Sequence, residues 1–203
     1  MFDSNRKLIE ELRSDYKFIE NNLNGDSGGF WSRTFIRTTI SLIEAELFIL
    51  KQEILTYCEE NSIQLNPELL LLLNNKKYEI NSNGQIKERL LQVRLKDDIK
   101  FSFSQIGNIK GHKLCKDFED SGWSKVVSTI LVRNRLTHPK MAEDINVSKQ
   151  EVNDCKHAFK WFIKNLTYFL EQEKDDIEEQ SKMKINELKK RRDKIIDESS
   201  KST

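Results

Sequence analysis

Apolar residues recur along this chain at intervals of three and four over most of its length, the spacing that gathers them on one face of an α-helix. Leu8, Leu12, Tyr16, Ile19 and Leu23 form the first such stripe. Asp3 or Ser4 can cap its free amides, so the helix is expected to start after one of them. Asn24-Gly25-Asp26-Ser27-Gly28-Gly29 then breaks the pattern, since closely spaced glycines favour a turn. From Phe30 to about Glu60 runs the longest pattern, through Ile36, Ile40, Ile43, Leu47, Leu50 and Ile54. Phe35, Leu42 and Ile49 widen its stripe, which predicts a helix at the centre of a bundle. Arg37, Ser41 and Glu44 form a polar line beside the stripe, read as an ion pair on the rim, with an auxiliary role near a site as the alternative.

Asn66-Pro67-Glu68 is a cap followed by proline at the first helical position, opening a short Leu69–Leu73 helix. The period then changes. Asn81-Ser82-Asn83-Gly84 lies between Lys77–Ile80 and Gln85–Glu88, a hairpin signal within an insertion of about 74–94 expected to lie over the helices. Ile99, Phe103 and Ile106 restore helical spacing from Leu95 to about Ile109.

A further helix is expected from Asp120-Ser121-Gly122. Trp123, Val126, Val127, Ile130 and Leu131 fall on one face, while Val132 and Leu136 point almost the opposite way. Such a helix is either deeply buried or touches a second body, which favours a dimer surface. Pro139 stops it and forces His138 out of the α region. Ser148-Lys149-Gln150-Glu151 is a capping box. It opens a helix through Val152, Cys155, Phe159, Phe162, Leu166 and Phe169, whose phenylalanines should pack on the central helix. Beyond Glu171 the chain turns to charge, running through Lys189-Lys190-Arg191-Arg192, and Ile177, Leu188 and Ile195 are too sparse to predict a coiled coil; a solvated helix is the preferred reading of the basic run over a nucleic-acid contact.

Composition narrows the class. Seven glycines and two prolines in 203 residues suit long helices, and a net charge of +1 predicts no global field for a polyanion. Three scattered cysteines without CxxC spacing fit neither a disulfide framework nor a zinc site, and no other metal or cofactor site is expected. The first residues lack a signal-peptide pattern, and no apolar run is long enough for a bilayer. The expectation is a cytoplasmic protein without membrane contact: an all-α helical bundle over 1–172, with a small hairpin or irregular insertion and a charged helical or flexible tail over 173–203.

One stretch carries chemistry: Val132-Arg133-Asn134-Arg135-Leu136-Thr137-His138-Pro139. RNA cleavage without a metal needs a 2′-hydroxyl activated, a proton for the leaving 5′-oxygen, and charge stabilised on phosphorus. A histidine titrates near neutrality and serves either proton transfer. An arginine offers fixed charge and a fork of donors to phosphate. Asn134 can orient the imidazole or the phosphate. In an unbroken helix residues five apart diverge by about 140°, so Arg133 and His138 meet only through the bend at Pro139 or across a symmetric dimer. A histidine at a helix C-terminus also has a purely structural use, capping carbonyls and favouring the dipole.

Arg133-Asn134-Arg135-Leu136-Thr137-His138 resembles the signature of the HEPN superfamily: Arg, a polar residue often Asn, a few more residues, then His. The motif ends an apolar helix and an amphipathic helix follows, and the likeness in helix pattern runs over about residues 3–172. The resemblance implies an antiparallel helical bundle and a metal-independent ribonuclease, with Arg133 and His138 catalytic, Asn134 supporting, and two protomers facing each other. It also implies a toxin–antitoxin, abortive-infection or antiviral setting, with an RNA substrate and an antitoxin or defence partner. Two function classes stand. One is an endoribonuclease; the other is a non-catalytic HEPN-like module that binds RNA, a nucleotide or a partner protein.

Overall fold

The structure, a computed structural model, describes residues 2–26 and 29–200, with side chains from 6 to 192 within that range. It is a mostly α-helical bundle with one small hairpin. The elements run α1 (Phe2–Asn22), α2 (Phe30–Glu60), α3 (Pro67–Leu73), β1 (Lys76–Ile80), β2 (Ile86–Leu90), α4 (Leu95–Lys110), α5 (Ser121–Thr137) and α6 (Lys149–Ser200). Short 3₁₀ turns follow α1 at Leu23–Gly25 and precede α6 at Ala142–Ile145.

Local chemistry explains most boundaries. Asn66 Oδ1 accepts from Leu69 N with Pro67 at the first turn, and Asp120 Oδ1 accepts from Trp123 N to open α5. Ser148 and Glu151 satisfy each other's amides at the start of α6, as the capping box requires. Gly111 ends α4 at φ 75°, a left-handed value that favours glycine. Helix α1 begins earlier than expected and already includes Phe2; the side chains of Asp3 and Ser4 lie outside the described ones. Helix α6, at 52 residues, exceeds the 31 of α2, because the Lys- and Glu-rich run after Glu171 contains no breaker.

Among the described residues the bundle holds two cores. The larger joins Ile40, Ile43, Leu47, Leu50 and Ile54 of α2 to Ile99 and Phe103 of α4, Trp123, Val126 and Ile130 of α5, and Phe162 and Phe169 of α6. The phenylalanines of α6 were expected on α2, and Phe162 and Phe169 do share this core with its stripe. Their ring partners come from other helices: Phe103 of α4, at 5.6 Å for Phe162 and 5.2 Å for Phe169, and Tyr16 of α1, at 4.6 Å for Phe159. Aromatic rings gain most from each other's edges and faces, and the stripe of α2 is largely aliphatic. The smaller core joins Ile19, Phe35, Ile36, Cys155, Val132 and Leu136. Helix α5 is thus apolar on two sides because two cores of its own chain flank it. Of the two expected alternatives, burial or a second body, burial holds for Val132 and Leu136, which are 9% and 1% exposed inside the protomer.

The hairpin pairs Lys76 with Leu90 through to Ile80 with Ile86. It does not lie over the helices. All of β2 and most of β1 are exposed, since its apolar side chains Tyr78, Ile80, Ile86 and Leu90 share their face with Lys76 and Glu88 and cover nothing. Its base is tied down: Leu91 N donates to Asn75 O at 2.7 Å, and the fully buried Lys51 of α2 reaches Asn75 Oδ1 at 2.7 Å and Asp98 Oδ1 at 2.5 Å.

Candidate functional site at the end of helix α5

The last turn of α5 is built by short-range bonds. Thr137 Oγ1 donates to Arg133 O at 2.8 Å, and His138 N donates to Asn134 O at 3.0 Å. His138 then leaves the helix at φ −127°, ψ 59°, the break that the following proline demands. Helix α2 grips this turn twice. Arg37 Nη2 donates to Leu136 O at 2.5 Å, placing positive charge at the carbonyl end of the helix dipole, and two turns on Glu44 pairs with Arg133. The polar line of α2 is therefore both an interhelical ion pair and a neighbour of the motif.

The two arginines of the motif do different work. Arg135 is spent on structure: its Nη1 donates to Asp144 O at 2.9 Å and Asn146 O at 2.7 Å, and its Nη2 to Glu151 Oε1 at 2.7 Å. This clamps the loop after Pro139 onto the start of α6. Asp144 strengthens the clamp, because its carboxylate accepts from Lys140 N at 2.7 Å and Met141 N at 3.2 Å. Those two amides hold its pKa below the usual aspartate value.

Arg133 faces open space. A cleft of about 960 Å³ lies between the end of α5 and the segment joining β2 to α4, and Arg133, Asn134 and His138 all line it with Glu44, Arg94 and Leu131. Arg133 and His138, which an unbroken helix would set about 140° apart, both line this cleft. Asn134 does not reach the imidazole; its Oδ1 accepts from Arg133 Nη1 at 3.3 Å. The His138 side chain is exposed and hydrogen-bonded to none of the described residues.

Such a cleft can bind a phosphodiester on the arginine fork while an imidazole moves protons beside it. Sequence reasoning missed Arg94, a second cation on the wall, and nothing in its spacing marks it. Glu44 was marked only by its place in the polar line. Among the described residues, no group of three or more His, Cys, Asp or Glu is placed to hold a metal ion. None of their helices is long and apolar enough to cross a membrane. Comparison with protein-family models, curated proteins and solved structures found no match to this chain.

Proposed function

We propose that this protein is a metal-independent endoribonuclease of HEPN type, acting as a toxin or antiviral defence effector. The observation that carries the reading is the sharing of one open cleft by Arg133, Asn134 and the unpartnered imidazole of His138. In the proposed reaction the 2′-oxygen of RNA bonds to phosphorus as its proton passes to a base. The P–O5′ bond breaks and the leaving oxygen takes a proton, giving a cyclic phosphate and a 5′-hydroxyl. His138 carries these transfers. The Arg133 fork neutralises the charge gathering on the phosphoryl oxygens, and Asn134 holds that fork in place.

The active form is a homodimer with two such clefts facing each other, so that one His138 accepts a proton and the other donates. With Val132 and Leu136 committed to the core, the apolar contact for that dimer falls to Leu131, 64% exposed on the cleft wall.

A second reading is a non-catalytic HEPN-like module that binds RNA, a nucleotide or a partner protein. The pairing of Arg133 with Glu44 favours it, because a guanidinium already neutralised has less charge to offer a transition state. The readings part in one experiment. Purified protein is incubated with total RNA in EDTA, beside Arg133→Ala and His138→Ala, and the RNA ends are sequenced. Cleavage with cyclic phosphate ends, lost in both variants, is expected of the ribonuclease. Cleavage retained in both variants sinks the assignment, and RNA bound without cleavage supports the module.

A further inference from the structure

Near its departure from the bundle, α6 is tied down by Gln172, Glu173 and Asp176. Gln172 bridges Lys113, Glu173 meets Lys110 at 2.5 Å and Asp176 meets His112 at 3.0 Å. From Ile177 to Arg192 every described side chain is exposed, so the helix continues as an arm. In proteins most helical stability comes from packing an amphipathic face, and no other part of the protomer packs on this arm's described side chains.

This arm has such a face. Leu170, Ile177 and Leu188 are 51%, 59% and 58% exposed. At 100° per residue the three lie within about 20° of one another. Ile195 follows seven residues after Leu188, so the spacings are seven, eleven and seven, the same read from either end. Two such helices laid antiparallel about an axis between Lys182 and Met183 set Ile177 against Leu188, twice over, and bring position 170 level with position 195.

Charge follows the same symmetry. Residues 171–179 hold six acidic side chains and one basic, while residues 182–194 hold seven basic and two acidic. Antiparallel pairing sets the acidic half of one arm against the basic half of the other, well within a Debye length of about 8 Å. Parallel pairing sets like against like. Ser181 and Lys184 interrupt the stripe at its centre, which leaves complementary charge to fix direction and register.

We infer that the arms of two copies of this chain pair antiparallel over residues 170–195, holding their bundles at opposite ends of a two-helix rod. The inference uses neither Arg133 nor His138 and stands apart from the ribonuclease reading: bundles at opposite ends of the rod do not face each other within it, so the facing-cleft dimer is a separate contact, made with a further copy.

The test uses full-length chains carrying Cys115→Ser; Cys58 and Cys155 are buried. One chain carries Ile177→Cys and a size tag, the other Leu188→Cys, and the two are mixed under mild oxidation. A disulfide between the unlike chains is expected, with neither variant linking to itself. In the proposed register like positions stand about 16 Å apart along the rod, and a disulfide needs Cα atoms within about 7 Å. Ser181→Cys leaves the stripe intact and, within two residues of the axis, is expected to couple to itself through a short bismaleimide. Self-linking of the first two variants means parallel arms and overturns the inference. So does the absence of all cross-links in chains that retain their helical circular dichroism.

Discussion

Arg133 of α5 and Glu44 of α2 form an ion pair between helices, and the same guanidinium donates to Asn134 Oδ1 at 3.3 Å. The fork has five donors, so these two contacts leave others free to turn toward a ligand. The side chains are 25% and 46% exposed, and solvated pairs of this kind contribute about 0–1 kcal/mol. Arg133→Ala and Glu44→Ala are therefore expected to unfold in urea within about 1 kcal/mol of the parent. Arg133→Ala should nevertheless lower the rate of RNA cleavage by about 10²–10³, the usual effect of removing one group that stabilises developing charge. A large loss of stability in Arg133→Ala would make this arginine a structural residue.

Arg135, two residues on, predicts the reverse. Its three bonds hold Asp144, Asn146 and Glu151, and truncation leaves two carbonyls and a carboxylate without their donor. Arg135→Ala should cost about 1.5–3 kcal/mol, as hydrogen bonds to charged groups do. The melting temperature should fall by about 2–4 °C for each kcal/mol in a chain of this size. Arg135→Lys should recover only part of the loss, since one ammonium cannot span all three acceptors. Thermal melts of the two arginine variants side by side would show the division of labour, and equal melting would refute it.

The contrast between these arginines marks where sequence reasoning reaches its limit. Caps such as Asn66 and Ser148, the stripe of α2 and the break at Pro139 were legible because their causes act within a few residues. The two faces of α5 were legible as well. What covers Val132 and Leu136 was not, since Ile19, Phe35 and Cys155 come from three other helices. The gathering of rings about Phe103 is long-range in the same way. At the site, Arg133, Asn134 and His138 could be picked out by residue type, and all three line the one cleft. Glu44 lies 89 residues away from its partner, and no local rule connects them.

Lys51 tests the support of the cleft, since its partners Asn75 and Asp98 line it. Its ammonium is fully buried and lies 2.5 Å from Asp98 Oδ1, whose side chain is 17% exposed, and 2.7 Å from Asn75 Oδ1. Lys51→Met keeps the stem but strands the carboxylate, and breaking a buried pair from one side costs about 3–5 kcal/mol. Replacing both partners by apolar residues removes the stranded charge, so Lys51→Met with Asp98→Leu should regain most of that stability. Chemical denaturation of the single and double variants measures both. A double variant no more stable than the single would show that the loss comes from packing rather than from the uncompensated charge.

Asp144 couples the loop after His138 to pH. Its carboxylate accepts from the amides of Lys140 and Met141, and these bonds, together with the nearby charges of Arg135 and Lys140, favour the ionised form. A carboxyl with a lowered folded pKa adds stability above its unfolded pKa and loses it as pH falls through the folded value. At neutral pH the loop is therefore held, and it should loosen only in acid, below the ordinary aspartate pKa of 3.8. In an NMR titration the Lys140 and Met141 amide shifts should move together with a midpoint under 3.8. Asp144→Asn should abolish that transition and, at neutral pH, speed hydrogen exchange at both amides. If the midpoint lies at or above 3.8, or exchange is unchanged in the variant, Asp144 does not fasten the segment that carries His138 away from α5.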